Sequence, residues 1–138
     1  KHIQEKFAHT YYNHVGIGID ITARDVQAKC KEKGHPWERA KGFDGSAPIS
    51  KLIPLNDLPP IQDIHFSLLK NGEMVQDGHT ADMLFNVNSL ISEISKFFTL
   101  RIGDLIFTGT PAGVGKMEPG DKLEAFIEGR KMMGFLVK

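Results

Sequence analysis

The sequence predicts an α+β fold, β-rich with mixed sheets and two helices, and three observations support it. Asn71-Gly72 separates two strand-like runs, 64–70 and 73–76, the pattern of a type I′ hairpin. Val87, Leu90, Ile91, Ile94 and Phe98 recur at the spacing of one apolar helix face. Short apolar runs at 15–21, 105–108, 122–127 and 133–137, set off by glycines, supply the remaining strands.

Each element has a local justification. Residues 15–21 alternate apolar side chains with glycine and read as a strand. Thr22-Ala-Arg-Asp25 then resembles a capping box, with Asp at the place Glu prefers. Val26 and Cys30 share a face of the helix that follows, and Gly34 with Pro36 ends it. Pro36, Pro48, Pro54, Pro59 and Pro60 break the pattern from 35 to 60, which predicts a long loop with short extended pieces. Loops of that length in a compact domain are often functional. Asn86 or Asn88 caps the second helix. Gly103-Asp104 and Gly120-Asp121 are turns leading into strands. No linker or composition shift divides the chain, so 1–138 is expected to be a single domain.

Composition bounds the function. The 138 residues could bury roughly two thirds of their unfolded surface, enough for a packed core. Charge is balanced, 17 basic against 17 acidic, so electrostatics favours neither nucleic acid nor an anionic membrane as partner. No window approaches the roughly 18 continuous apolar residues of a membrane span. The lone Cys30 cannot form an intrachain disulfide and fits a reducing compartment. The chain opens on Lys1 rather than Met, which leads us to expect further sequence upstream.

The stretch Ile106-Phe-Thr-Gly-Thr-Pro-Ala-Gly-Val-Gly115 carries the most information. A hydrophobic run there delivers its backbone into a glycine-rich loop, where another group must approach closely. It is not a phosphate loop, because Gly115-Lys116 is followed by Met117 rather than Ser or Thr. The six histidines show no zinc-ligand spacing, and His65 reads as a half-buried sheet residue. Cys30 reads as core. Asp20 interrupts an apolar strand just before a helix. It either accepts hydrogen bonds from the helix's free amides or serves as a ligand for a hard cation. Arg24 and Gln27, three apart, share a helix face that is either solvated or turned toward Asp20. Lys41 falls in the long loop, where pattern alone gives it no special weight.

Four motifs together resemble the fumarylacetoacetate hydrolase family. They are Gly18-Ile-Asp20-Ile-Thr-Ala-Arg24-Asp25-Val-Gln27, Trp37-Glu-Arg-Ala-Lys41-Gly-Phe-Asp44, Gly72-Glu-Met-Val-Gln76-Asp-Gly78-His-Thr80, and Gly103-Asp104 through Thr110 to Gly115. The chain is most similar to the small single-domain branch, the acylpyruvate hydrolases and oxaloacetate decarboxylases. The resemblance implies the family's C-terminal β-fold and a Mg²⁺ or Mn²⁺ cofactor held by three carboxylates, of which Asp20 would be one. It further implies that Arg24, Gln27, Lys41 and Thr110 line a pocket for a 2-oxo acid. Lys41 would assist catalysis by stabilising the enolate left when the neighbouring C–C bond breaks. Arg24 would pair with a carboxylate at two points, and Thr110 with the glycine-loop amides would hold the substrate's carboxylate.

The chain departs from the family in containing no Glu-x-Glu, the source of the other two metal ligands. The upstream His and Glu with which hydrolytic members activate water have no counterpart either. A lone carboxylate binds Mg²⁺ poorly. These residues alone are therefore expected to bind metal weakly and to be inactive, as a catalytic-type domain lacking its N-terminal portion. Three readings follow. The first is metal-dependent C–C cleavage of a 2-oxo acid, by acylpyruvate hydrolysis or oxaloacetate decarboxylation. The second is isomerisation or decarboxylation of an unsaturated dicarboxylate in aromatic catabolism, and the third a non-catalytic relative. The resemblance also implies a homodimer, and both the cytoplasm and the mitochondrial matrix fit it.

Overall fold

The computed structural model describes all 138 residues, Lys1–Lys138. Its contacts group into two compact units, Gly18–Ser50 on one side and Lys1–Ile17 with Lys51–Lys138 on the other.

In the larger unit, β1 (His14–Val15) pairs antiparallel with β2 (Ile53–Pro54). The main sheet holds β3 (His65–Lys70), β4 (Glu73–His79), β5 (Lys122–Ile127) and β6 (Arg130–Leu136), in the order β4-β3-β5-β6. The α+β class is as expected, but the sheets are not mixed: every strand pair is antiparallel, as the hairpins joining β3 to β4 and β5 to β6 require of those pairs. The hairpin between β3 and β4 turns at Asn71 and Gly72, with φ of 53° and 87°, the two positive values that a type I′ turn requires.

Register decides what the sheet buries. Phe66 faces Ile127 and Leu68 faces Ala125, so β3 and β5 place their apolar residues on one side. Leu123, Ala125 and Ile127 are all buried. Gly78 lies opposite Phe66, and a Cβ there would stand 2.5 Å from the ring, so the aromatic covers the glycine. His65 is on the opposite side and exposed, contrary to its expected half-burial, and its ring stacks on that of His79 at 4.0 Å.

Helix α3 (Val87–Phe97) matches the expected amphipathic segment. Asn86 caps it, its Oδ1 accepting from the Ser89 amide at 2.8 Å, while Gln62 Oε1 accepts from the Val87 amide at 3.0 Å. Ile91 is buried with Ile3 and Ala8, and Val87, Leu100 and Ile106 pack on that cluster. Phe98 departs from the expected apolar face: it follows the helix in extended conformation and is exposed, while Ser95 is fully buried. Ser95 tolerates burial because its hydroxyl accepts from the Ile3 amide and donates to the Ser92 carbonyl. The 3₁₀ turn Glu5–Tyr11 closes over α3, with Glu5 accepting from Ser89 Oγ at 2.5 Å.

Residues 105–108 do not form the expected strand. Leu105 and Phe107 are exposed while Ile106 is half-buried, so the alternation exists, but no neighbouring strand pairs with it. A β-strand is defined by its ladder, which side-chain alternation cannot supply. The preceding turn is present, with Asp104 Oδ2 accepting from the Arg101 amide at 2.7 Å. Asp121 does the same for Glu118 at 2.8 Å.

In the smaller unit, α1 (Arg24–Lys33) ends at Gly34, whose φ of 63° turns the chain so that the His35 amide donates to the Cys30 carbonyl at 2.8 Å. Cys30 is buried, as expected. The capping box does not form, because the residue before the helix is Ala23 and no side chain caps it. Within the expected long loop lies a third helix, the single turn α2 (Glu38–Lys41). No helix in the chain is long and apolar enough to cross a membrane.

Carboxylates of the main sheet and its turns link stability to pH. Hydrogen bonds from the Glu118 amide and the Asn71 side chain hold Asp121 below its ordinary value of 3.8, and Lys70 adds to this. Lys131 and Lys122 hold Glu124 below its ordinary 4.5. Both groups bind protons less readily when folded, so their stabilisation is complete above the unfolded values and is lost as pH falls through the folded ones. The denaturation midpoint is expected to be flat from neutral pH to about 5 and to drop below that, with Asp121→Asn giving a shallower drop. A profile identical in Asp121→Asn would remove that residue from the account.

Candidate functional site

The smaller unit assembles its site from an extended segment and a one-turn helix. Residues 18–23 run antiparallel to the returning chain. The amide of Ile19 donates to Pro48, that of Ile21 to Ser46 and that of Ala23 to Ala40. In extended backbone alternate residues share a side, so Asp20 and Thr22 project together. The Ala23–Ala40 bond sets the register that brings the next residue, Lys41, to them. Lys41 Nζ donates to Asp20 Oδ2 at 2.6 Å and to Thr22 Oγ1 at 2.7 Å.

Of the two alternatives for Asp20, the helix cap does not form: no side chain caps α1, and the carboxylate accepts from an ammonium instead. Thr22, expected in a capping box, is instead the second acceptor for Lys41. Sequence reasoning missed it as a site residue, although its i+2 spacing from Asp20 in extended backbone was a usable signal. Lys41 itself sits at the end of α2 rather than in a loop.

Arg24 and Gln27 fall on one face of α1 as expected, with Arg24 Nη1 donating to Gln27 Oε1 at 3.4 Å. Gln27 is buried and Arg24 is exposed, so the guanidinium has donors free for another partner. Thr110 belongs to the larger unit and is exposed in the irregular segment after residue 104. Gly109 and Gly113 flank it with φ of 132° and 93°, values that L side chains rarely adopt.

A hard divalent cation requires about six oxygen ligands in fixed positions. Asp20 offers one carboxylate, and one of its oxygens already accepts from Lys41. Nowhere in the chain do three His, Cys, Asp or Glu side chains converge on a common point. These 138 residues do not, by themselves, fit a divalent cation.

Comparison with known proteins gives consistent results. The family profile described as fumarylacetoacetate (FAA) hydrolase C-terminal matches residues 1–137. The chain is 44% identical to the mitochondrial oxaloacetate tautomerase FAHD1 of Mus musculus, over 99% of this chain and 62% of that protein. It is 47% identical to the oxaloacetate tautomerase YcgM of Escherichia coli K12, over 85% of this chain and 54% of that one. The chain thus spans little more than half the length of these relatives. Among solved structures, a fumarylacetoacetate hydrolase family protein from Yersinia pestis CO92 superposes with a TM-score of 0.95 at 42% identity, covering 100% of this chain and 66% of that one. A fumarylpyruvate hydrolase from Pseudomonas aeruginosa in complex with Mn²⁺ and pyruvate superposes with a TM-score of 0.91 at 37% identity, covering 98% and 58%.

The Lys41–Asp20 pair is partly open to solvent, with side-chain exposures of 34% and 42%, which puts its contribution to folding in the surface class. Lys41→Met is expected to change unfolding free energy by no more than about 1 kcal/mol. A loss of several times that in a denaturant titration would make the pair a structural bridge rather than a site.

Proposed function

This chain belongs to the fumarylacetoacetate hydrolase family, and on that premise we propose that it provides the substrate-holding part of an enzyme acting on a 2-oxo acid through its enolate. One observation carries the reading. Lys41 has three ammonium donors, and Asp20 and Thr22 orient it while engaging two. The third is left to meet an oxygen on which negative charge develops, where a prealigned donor lowers the barrier. Within the smaller unit, Arg24 binds a substrate carboxylate at two points and Gln27 orients Arg24. Thr110, in the larger unit, is read by itself as a substrate contact, as the family resemblance implies.

An enolate at the same keto oxygen, of the cleaved product or of the intact acid, underlies two reactions. In C–C cleavage, the bond beyond the carbon next to the keto group breaks and its electron pair becomes the enolate. This covers acylpyruvate hydrolysis and oxaloacetate decarboxylation, and the likeness to a fumarylpyruvate hydrolase supports it. In tautomerisation that carbon gives up a proton and the enolate oxygen takes one, or the reverse, with no bond between carbons broken. The relatives named as oxaloacetate tautomerases support this second reading. A divalent cation, Mg²⁺ or Mn²⁺, would polarise the keto oxygen. Asp20 could supply one of its ligands only alongside oxygen donors beyond these 138 residues. A homodimer belongs to the same proposal, supported by apolar surface at Leu84, Phe85, Phe97, Phe98 and Ile102 that water disfavours. A monomer mass in sedimentation would remove that part.

In a full-length protein containing this chain, Lys41→Ala and Asp20→Ala are each expected to lower kcat/KM for oxaloacetate by about 100-fold or more, the scale of losing one aligned transition-state donor. Mn²⁺ titrated by calorimetry with oxalate should bind the full-length protein saturably, and should bind neither Asp20→Ala nor the 138 residues alone. Near-normal turnover in both variants would sink the proposal. Pyruvate or CO₂ release, followed beside the loss of enol absorbance, separates cleavage from tautomerisation.

A further inference from the structure

Strand β4 is the edge of its sheet, and its pairing with β3 is irregular: Gln76 faces Leu68 while Met74 faces Leu69. Val75 is therefore an extra residue, a bulge, and bulges re-aim the groups they carry. The Val75 carbonyl oxygen lies 2.0 Å from where a Cβ on Gly113 would stand. No side chain fits there, so the glycine is what permits the loop to lie against the strand. Beside it, the Gln76 amide nitrogen donates to the carbonyls of Pro111 at 3.3 Å and Ala112 at 3.4 Å. Both partners are acceptors, so only the nitrogen end of the amide satisfies them. Gln76 Cγ lies a further 3.3 Å from the same Gly113 position. Thr110 immediately precedes the three residues held in this way.

We propose that Gln76, with Gly113 seated on the Val75 bulge, is a positioning residue that fixes the loop bearing Thr110. Gln76 touches no substrate; it acts through the loop. Residues 105–116 have no ladder or helix of their own, so the placement of Thr110 relies on such tethers. This inference rests on the reading of Thr110 as a substrate contact.

The test uses the full-length protein, with oxaloacetate as the substrate probe and hydrogen exchange as the second readout. Gln76→Glu keeps the size of the side chain but turns a carboxylate toward two carbonyl oxygens, whereas Gln76→Lys keeps a donor. Gln76→Glu is expected to raise KM and to speed amide exchange across 109–115, each roughly tenfold, with kcat changed by less than about threefold and β3 and β5 exchanging as before. Gln76→Lys should recover most of both effects. Unchanged exchange across 109–115 in Gln76→Glu would overturn the inference. So would faster exchange with an unaltered KM, if Thr110→Val does raise KM. If Thr110→Val leaves KM unchanged, the reading of Thr110 fails, and exchange alone then decides whether Gln76 holds the loop.

Discussion

The pairing of β3 with β5 is the interaction on which the larger unit depends. β3 takes one neighbour from its own hairpin and the other from a strand about fifty residues downstream. Phe66 opposite Ile127 and Leu68 opposite Ala125 bring the apolar sides of both strands onto one face. A slip of one residue would turn Leu123, Ala125 and Ile127 outward, so burial enforces the register. On the other side of β3, the bulge in β4 has a distant effect, because it sets the carbonyl against which the 109–115 loop lies. The placement of Thr110 thus follows from a sheet that it does not enter.

The smaller unit relies on backbone hydrogen bonds rather than a large core. Three amide-to-carbonyl bonds align 18–23 with 40–49, and the period of the extended chain puts Asp20 and Thr22 side by side. Lys41 then meets a carboxylate and a hydroxyl together. The pair is too exposed for its Coulomb energy to explain the arrangement as a folding device. What the pair fixes is orientation, because two acceptors engage two of the three ammonium donors. The same geometry explains why these residues alone do not fit a metal ion, since the ammonium occupies an oxygen of Asp20 and no three candidate ligands converge.

Much of this was legible in sequence. Asn71-Gly72 named its turn, since few residue pairs accept two positive φ angles. The spacing of Val87, Leu90, Ile91 and Ile94 named α3, and Gly34 marked the end of α1. Asp20, Arg24, Gln27, Lys41 and Thr110 were identified as candidate site residues from motif resemblance, and the structure joins Asp20 to Lys41 and Arg24 to Gln27. Thr22 and Gln76 were not identified, because each acts through a partner distant in sequence. The 105–108 run failed as a strand for a related reason, its alternation being intrinsic and its ladder not.

The sequence by itself determined local geometry at the Asn71-Gly72 turn, the Asn86 cap and the Gly34 end of α1, and its motifs marked the family. The local features follow from φ preferences and side-chain chemistry, which act over a few residues. Tertiary structure alone decided which segments would pair, that Thr22 would serve Lys41 rather than a helix end, and that a bulge in β4 would hold the glycine loop. Those outcomes depend on hydrogen bonds across tens of residues, where register, and not composition, selects the partner.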